Sequence, residues 1–323
     1  MKLLSILIPT YNRANYLEMS MGSVVKMIEN LGLYNDVNIV VSNNASTDDT
    51  EKVINILKQN TSHVEIIDYK QESNLGLEGN TLFCMSKATG EYAMFVGDDD
   101  FIESAYLQKV VDYIKKDRTI TCIIPDRIGI NLEGKPATKQ YYPQSDDMYY
   151  KQKDSKLESM FDAHQISGVV VKVEDTLEKY IQANGHNIYP CVFFAGVNIQ
   201  RGSYIHITKN PVKVTRGNLA DFSRRDDNLL TDIWQNISLI TNDEVVRRRL
   251  EKYLARRWKR MIYRCSNHPF KFSKYICRSE EYSSEAKVSL VLTIYIMSLR
   301  YCIASIYKIL FKPHKNAKQQ EDL

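Results

Sequence analysis

Short apolar runs alternate with longer amphipathic stretches along the first 125 residues of the chain. The apolar runs have the length of buried strands, and the stretches between them have the period of helices. This alternation predicts a doubly wound α/β sheet. The predicted strands span residues 3–8, 37–41, 64–69, 92–96, 119–125, 166–172, 204–207 and 212–214. The predicted helices span residues 15–31, 51–59, 104–116 and 174–183, and two more begin near residues 80 and 186.

Polar loops follow three of these strands, at residues 10–13, 42–49 and 97–100. A fourth polar loop, at residues 74–80, precedes a helix. In open α/β sheets the ligand binds outside the carboxyl ends of the strands. We therefore expect the four loops to meet at one crevice.

Three acidic residues, Asp98, Asp99 and Asp100, directly follow the apolar run 92–96 and Gly97. Adjacent carboxylates at the end of a buried strand are costly unless a cation lies among them. Mg²⁺ or Mn²⁺ could take oxygen ligands from these residues and from a substrate diphosphate. The alternative is a solvated acidic turn that caps the next helix. The convergence of the polar loops favours the metal.

The polar loops also offer groups that could bind a nucleotide. The turn 9–12 could hold a base or ribose through its backbone and the Tyr11 ring, and the Asn44 amide could pair with a base edge. Gly76 lets the backbone approach a ligand, and Asn80 opens the helix that follows. The structural alternatives are a plain turn, an Asx turn and an ordinary helix entry.

Motifs for several other chemistries are missing from the sequence. It contains no G-x-G-x-x-G after the first strand, no P-loop, no G-x-S-x-G and no H-E-x-x-H. A dinucleotide-binding enzyme, a P-loop NTPase, a serine hydrolase and a zincin are therefore disfavoured. The six cysteines have no metal or redox spacing, which is typical of reduced thiols in a reducing compartment. The apolar start ends at Pro9, too early for a signal peptide.

Charge is unevenly distributed along the 323 residues. The net charge is +4, but residues 201–323 carry +12 and the first 200 carry −8. A basic C-terminal part suggests an anionic partner such as a membrane surface, and the acidic first part argues against nucleic acid. A boundary near residue 228 divides the chain into a predicted α/β domain, 1–228, and a basic helical region, 229–323. Within the first domain, 1–125 and 126–228 are its predicted halves.

Two C-terminal segments combine basic and apolar residues. Residues 247–264 carry nine Lys or Arg and one acid, and the apolar segment 288–311 contains Arg300 and Lys308. This pattern favours helices that lie in a membrane interface. The charges inside the second segment disfavour a full membrane span. The alternative is an ordinary helical subdomain with a basic, solvent-facing surface.

Four motifs, SILIPTYNR, VVSNNASTDDT, NLGLEGN and FVGDDD, together resemble the family 2 glycosyltransferases of the GT-A fold over residues 3–125. Their order and spacing are most similar to bacterial transferases for O-antigen, capsule or other surface polysaccharides, including abequosyltransferases. The resemblance implies an inverting, metal-dependent enzyme that moves a hexosyl or deoxyhexosyl group from a nucleotide-sugar donor. The implied acceptor is a glycan or a lipid-linked glycan, and the implied location is the cytoplasm, peripheral on the inner membrane face. A non-catalytic module that binds nucleotide sugars or glycans in a membrane assembly is the alternative.

The resemblance also assigns roles to individual residues. Asp99 matches the metal ligand, Asp98 matches a neighbour of the ribose or sugar, and Asp100 could contact the donor sugar. Asn43 and Asn44 stand where many members have Asp, which leaves the nucleotide base open. Arg216 could steady the diphosphate by ion pairing, with a solvated loop as the alternative. The candidate donor-binding residues are Pro9, Thr10, Tyr11, Asn12, Asn44, Asn74, Gly76, Asn80, Asp98, Asp100 and Arg216.

The catalytic base is not evident from the motifs. Members of this family usually deprotonate the acceptor hydroxyl with a carboxylate at the start of a helix in the acceptor half. That position falls here at residues 185–187, which contain no acid. His186 is the candidate there because the pKa of histidine lies near neutral pH. Asp226 and Asp227 are the alternatives.

Overall fold

A computed structural model describes residues 1–61, 63–131, 134–137, 146–154, 156–216, 226–257, 273–274, 276–277 and 282–310. The strands are β1 (Lys2–Thr10), β2 (Val37–Asn43), β3 (Ile66–Lys70), β4 (Gly90–Phe95), β5 (Ile120–Ile130), β6 (Met148–Tyr150), β7 (Val170–Lys172) and β8 (Ser203–Thr215). The helices are α1 (Ala14–Asn30), α2 (Thr50–Gln59), α3 (Gly76–Ser86), α4 (Ser104–Lys116), α5 (Thr176–Gln182), α6 (Pro190–Arg201), α7 (Asp226–Ile240), α8 (Glu244–Arg257) and α9 (Ser284–Leu310). A 3₁₀ helix spans Leu157–His164.

The strands form one sheet in the order β3-β2-β1-β4-β7-β5-β8-β6. β1 to β4 are parallel neighbours, β7 runs antiparallel between β4 and β5, and β6 is an antiparallel edge strand on β8. Parallel neighbours require a crossover over one sheet face, and α1, α2 and α3 provide these connections. The mixed, doubly wound α/β sheet confirms the predicted fold class.

Each face of the sheet is covered by its own hydrophobic core. Successive side chains of a strand point to opposite faces, so Ile6 joins the core under α1, α2 and α4 while Leu7 joins the core under α3 and α6. At the end of β4, the Phe95 ring stacks on Phe194 of α6 with 6.2 Å between ring centroids. This contact fixes the first half of α6 beside the carboxyl end of β4.

Some predicted bounds differ from the observed ones: α3 begins at Gly76 and not near residue 80, β5 extends to Ile130, and β7 spans only Val170–Lys172. Two further differences have local reasons. The two short strands predicted at 204–207 and 212–214 are one strand, β8, because it pairs along β5 through an irregularity between Pro125 and Arg127. The helix predicted from residue 186 begins at Pro190, because proline fits the first turn of a helix and lacks the N–H that a later turn needs. Before it, Asn187 Oδ1 accepts a hydrogen bond of 2.9 Å from the Tyr189 N–H and holds a turn.

The helices after residue 226 continue the core that α6 begins. Trp234 of α7, Leu290 and Ile294 of α9, and Phe194 of α6 are buried in one cluster. The Trp234 ring also packs edge-on against Tyr282, with 5.2 Å between ring centroids. The domain boundary near residue 228 stays a prediction. Residues 258–264 of the basic segment, and the tail 313–323, lie outside the described residues.

The last helix has an exposed apolar stripe. The residues Val288, Leu292, Ile296, Leu299 and Ile303 are each more than half exposed. Within the described ranges, none of the helices combines the length and the apolar character that a membrane crossing requires. The side chains of Arg300 and Lys308, on which the predicted amphipathic pattern depended, are outside the described set.

Candidate active site

The polar loops predicted to converge do meet at one edge of the sheet. Thr10 at the end of β1 is paired with Asn43 at the end of β2, and the neighbouring β4 ends at Phe95, beside Leu7. The loops after these three strands therefore leave the sheet at the same edge. This edge is the carboxyl end of the parallel strands, where open α/β sheets bind ligands.

The first two loops are tied together by Asn12. Its backbone has φ = 52°, in the left-handed region that asparagine tolerates better than most residues. Asn12 Oδ1 accepts a hydrogen bond of 2.8 Å from the Thr47 N–H, and the Asn12 N–H donates to Ser46 Oγ at 2.9 Å. Pro9 and Thr10 are buried, whereas Tyr11 is exposed. The turn thus presents the Tyr11 ring to solvent from a fixed backbone.

The turn 74–76, called here the donor turn, is held by Asn44. Asn44 is only 3% exposed. Its Nδ2 donates to Asn74 Oδ1 at 2.9 Å and to the Gly76 carbonyl at 3.3 Å, and its Oδ1 accepts from the Leu75 N–H at 2.8 Å. The Asn44 amide therefore positions the donor turn, and both of its Nδ2 hydrogens are already used.

Asn80 is likewise buried and bonded within the protein. Its Oδ1 accepts a hydrogen bond of 2.6 Å from Ser42 Oγ, and its Nδ2 donates to the Ser42 carbonyl at 3.2 Å. These bonds join the start of α3 to the end of β2. Asn80, which was predicted to open this helix, lies in its second turn because α3 begins at Gly76, and its hydrogen bonds fix the helix to β2.

The three aspartates after β4, called here the acidic cluster, have different surroundings. Asp98 is 9% exposed, and burial raises its pKa to about 7. The Arg13 guanidinium lowers this pKa, and the Asp99 carboxylate raises it. Burial, followed by the charge of Asp99, also raises the pKa of Asp100 to about 6. Asp99 is the more accessible member and forms an ion pair with Arg13, with 2.7 Å between Oδ2 and NH1. Negative charge is therefore concentrated at one point of the crevice.

Asp100 has both carboxylate oxygens bound to the protein. Ser167 Oγ donates to Asp100 Oδ2 at 2.5 Å, and the Thr215 N–H donates to Oδ1 at 2.9 Å. Ser167 Oγ also accepts a hydrogen bond of 2.9 Å from the Gly97 N–H. Asp100 thus ties the cluster to β8 and to the segment before β7.

The acidic cluster fits a divalent cation only if substrate oxygens complete the coordination. The Asp99 carboxylate is partly exposed, whereas the oxygens of Asp100 are used by the protein. Among the residues that the structure describes, no three His, Cys, Asp or Glu side chains are grouped to enclose a metal ion. One accessible carboxylate beside two buried ones with raised pKa values is a donor set that a cation bound to a diphosphate would stabilise.

The turn before α6 contains no acidic residue of its own, but two acidic residues from other helices bind to it. Glu78 Oε1 accepts hydrogen bonds from Tyr180 Oη at 2.7 Å and from the Asn187 N–H at 3.0 Å. Asp232 of α7 accepts a hydrogen bond of 3.2 Å at Oδ2 from the Ile188 N–H. Burial raises the pKa of Asp232, and the nearby Glu78 carboxylate raises it further.

The structure also gives the positions of the three candidate bases and of Arg216, the residue predicted to bind the diphosphate. His186 is exposed in the turn before α6. Asp226 and Asp227 form the start of α7, and their side chains are outside the described set. Arg216 is exposed, donates its backbone N–H to the Ile130 carbonyl at 2.8 Å, and lies across Gly129, where a Cβ would stand 2.2 Å from Arg216 Nε.

Sequence reasoning missed Arg13, Glu78 and Asp232. Arg13 stood in a quoted motif, and its charge next to the acidic cluster was a signal that could have been used. Glu78 also stood in a motif, but it binds a turn more than 100 residues later in the chain. Asp232 had no local signal, since one acid in an amphipathic helix is ordinary.

The fold is that of the GT-A glycosyltransferases. The structure is similar to S. aureus TarS in complex with UDP-GlcNAc, with a TM-score of 0.65 and 14% identity, covering 94% of this chain and 92% of that one. It is also similar to a mannosyltransferase from Pyrobaculum calidifontis in complex with GDP-Man and Mn²⁺, with a TM-score of 0.55 and 15% identity, covering 96% and 88% of the two chains.

The sequence comparison identifies the family. Residues 5–176 match the model of glycosyl transferase family 2, and the chain belongs to this family. An abequosyltransferase of Salmonella typhimurium is 29% identical over 238 residues, which cover 69% of each chain. The chain is therefore a glycosyltransferase, as the motifs predicted.

Proposed function

We propose that this glycosyltransferase transfers a sugar, with inversion, from a nucleotide-sugar donor to a surface-polysaccharide acceptor and requires Mn²⁺ or Mg²⁺. The observation that carries the proposal is the acidic cluster at the end of β4. Asp99 is accessible there, while Asp98 and Asp100 are buried behind it. The mannosyltransferase of similar fold, solved with GDP-Man and Mn²⁺, supports a donor and metal of this kind.

The first two loops would bind the nucleoside of the donor. The exposed Tyr11 ring can stack on a base, and the Asn12 bonds to Ser46 and Thr47 fix the backbone of the turn that carries it. Pro9 and Thr10 form the floor of this turn. The donor turn, with Asn74 and Gly76, would close on the nucleoside from the other side, held by Asn44 and Asn80.

Asp99 would hold the metal, and Asp98 and Asp100 would lie beside the ribose and the donor sugar. When bound, a divalent cation neutralises the charge that develops on the leaving diphosphate. Arg13 is already paired with Asp99 and could turn to a diphosphate oxygen, since arginine binds phosphate in a bidentate manner. Arg216 is exposed and is the second cation proposed for the diphosphate.

The catalytic base and the membrane contact complete the proposal. His186, Asp226 and Asp227 are the bases that the sequence proposes. The exposed apolar stripe of α9 and the +12 charge of residues 201–323 support association with an anionic membrane surface. The acceptor would then be lipid-linked, and the enzyme would lie on the cytoplasmic face, where buried thiols such as Cys84 and Cys122 stay reduced.

A thermal-shift screen tests the donor and the metal. Wild-type protein is melted with UDP-, GDP-, dTDP- and CDP-sugars, each with and without Mn²⁺, because a ligand that binds the folded state raises the melting temperature. We expect one nucleotide class to stabilise the protein in a Mn²⁺-dependent way. Asp99→Ala should abolish this dependence, and Asp112→Ala, at an exposed site on α4, should keep it. Equal responses of the Asp99→Ala variant and the wild type would show that Asp99 is not the metal ligand.

Vesicle flotation tests the membrane contact separately. We expect wild-type protein to float with vesicles that contain anionic phosphatidylglycerol and to float less with neutral vesicles. Replacing the exposed Leu292 and Ile296 by Glu should abolish flotation. The matched replacement of Val245, which is exposed on α8, should not. Flotation that the double replacement leaves unchanged would refute a role for the α9 stripe.

A further inference from the structure

The turn before α6 is fixed from two sides by acidic residues. Glu78 of α3 accepts hydrogen bonds from Tyr180 and from the Asn187 N–H. Asp232 of α7 accepts from the Ile188 N–H through Oδ2. Within the described part of the chain, the second oxygen of Asp232, Oδ1, accepts no hydrogen bond. Asp232 is thus held through Oδ2, and Oδ1 is left to accept a hydrogen bond from a substrate hydroxyl.

Arg127 of β5 connects the acidic cluster with the first turn of α6. Arg127 of β5 donates through NH2 to the Ser167 carbonyl at 3.4 Å, and Ser167 Oγ donates to Asp100 Oδ2 at 2.5 Å. The Arg127 guanidinium is also close enough to Cys191, in the first turn of α6, to oppose the burial that raises the pKa of that thiol. The first turn of α6 and Asp100 are therefore both within electrostatic range of one guanidinium.

Glu78 and Asp232 differ in the hydrogen bonds that they accept at this turn. Glu78 Oε1 accepts two, whereas the Asp232 carboxylate accepts one, at Oδ2. Burial and the Glu78 charge both favour the protonated form of Asp232, so its basicity exceeds that of an ordinary aspartate. His186 is exposed and makes no hydrogen bond to the described residues, so its ring is not oriented.

We infer that Asp232 is the catalytic base of the proposed transfer and takes the position at the start of α6 where the sequence has no acid. The inference rests on the proposed function. In the step, the acceptor hydroxyl oxygen forms a bond to the anomeric carbon of the donor. The bond between that carbon and the diphosphate oxygen breaks, and its electron pair leaves with the nucleoside diphosphate. The hydroxyl proton passes to Asp232 Oδ1 and then to solvent.

Replacement of Asp232 tests the inference directly. The substrates are the donor found by the thermal-shift screen and a library of octyl glycosides as acceptors, with release of nucleoside diphosphate and of glycosylated product measured. We expect Asp232→Asn and Asp232→Ala to reduce kcat at least about 100-fold, the lower end of general-base contributions. Stabilisation by the donor and Mn²⁺ should stay unchanged. Sodium formate should restore part of the activity of Asp232→Ala, because a small carboxylate can occupy the vacated space. Asp112→Asn is the matched control and should keep full activity.

The pH profile gives a second measurement that a purely structural role would not move. Among the described residues, Glu78 of α3 and Tyr180 of α5 are the titratable groups that face Asp232, and His186 is exposed two residues from Ile188. Glu78→Gln keeps an acceptor for Tyr180 and Asn187 but removes the negative charge. The acidic limb of the kcat profile should therefore move to lower pH, by about 0.5 to 1 unit. His186→Gln should leave this limb in place.

The two levels of the proposal can fail independently. If Asp99→Ala abolishes transfer while Asp232→Asn keeps it within threefold of wild type, the assignment of Asp232 is wrong and the transferase function stands. If Asp232→Asn does not fold, an acidic limb that is identical in Glu78→Gln and wild type overturns the assignment. If the wild type transfers no sugar from any donor of the panel, the proposed function itself fails.

Discussion

Asn44→Asp is the substitution in the donor site whose cost can be worked out bond by bond. The new carboxylate oxygen would replace Nδ2 and stand 2.9 Å from Asn74 Oδ1 and 3.3 Å from the Gly76 carbonyl, both of which are acceptors. Asn74 cannot relieve this by rotating its amide, because Asn74 Oδ1 also accepts a hydrogen bond of 2.8 Å from the Gly76 N–H. The acceptor for the Leu75 N–H is kept.

The loss amounts to two hydrogen bonds and a buried charge. Each bond contributes about 1 kcal/mol net, and an unsatisfied buried partner costs about 1 to 3 kcal/mol. We expect a destabilisation of roughly 2 to 4 kcal/mol at pH 7, and a melting temperature lower by roughly 5 to 10 °C. The buried carboxyl of residue 44 would have a raised pKa. Its protonated form bonds better, so the stability difference from wild type should shrink as the pH falls toward 4 and grow as it rises.

The measurement is thermal unfolding of Asn44→Asp between pH 4 and pH 8, beside the control Asn242→Asp, which makes the same change at an exposed position. The Mn²⁺-dependent stabilisation by the donor should also weaken, because the donor turn loses its anchor. A melting temperature within 1 °C of the control across this range would refute the role of Asn44 as the anchor of the donor turn.

Three further predictions concern the frame of the site. Gly168→Ala should destabilise the protein by roughly 2 kcal/mol or more in urea unfolding, because residue 168 has φ = 81° and a Cβ would lie 2.6 Å from Val212 Cγ2; an unchanged midpoint would contradict this. Ser167→Ala leaves Asp100 Oδ2 without its donor and should cost about 1 to 3 kcal/mol in the same assay, whereas Ser167→Thr should recover part of it. Burial lowers the pKa of His164 to about 4, so unfolded chains bind its proton first as the pH falls below 6.5. Stability should drop by about 1 to 3 kcal/mol between pH 6.5 and pH 4, and His164→Gln should flatten this slope.

The sheet and the crevice were predictable because their signals are local. Apolar runs of strand length, each closed by a polar loop, mark the parallel strands, and parallel strands place their carboxyl ends together. Asp98 to Asp100 stood out because three carboxylates at the end of a buried strand need an explanation. The start of α4 at Ser104 and its end at Lys116 match the predicted helix for the same reason: its amphipathic period is clear.

The rest depended on contacts between distant parts of the chain. Asn44 reads as a group free to bind a base, but its hydrogen bonds run to residues about 30 positions later. Glu78 and the turn at Asn187 are separated by 109 residues, and no spacing rule connects them. The position of Asp232 beside Ile188 follows only from how α7 packs on α6. Residues whose function depends on such packing carry no local sequence pattern.

The C-terminal helix α9 packs into the hydrophobic core and is not a flexibly attached segment. Leu290 and Ile294 of α9 are buried in the same cluster as Trp234 of α7 and Phe194 of α6, while Leu292 and Ile296 face outward. A flexibly attached helix would let the catalytic half rotate relative to whatever α9 binds, whereas a packed helix gives the catalytic half one orientation. A membrane surface that bound the outer face of α9 would therefore fix the orientation of the crevice relative to that surface. This orientation would limit which part of an acceptor chain can enter the crevice.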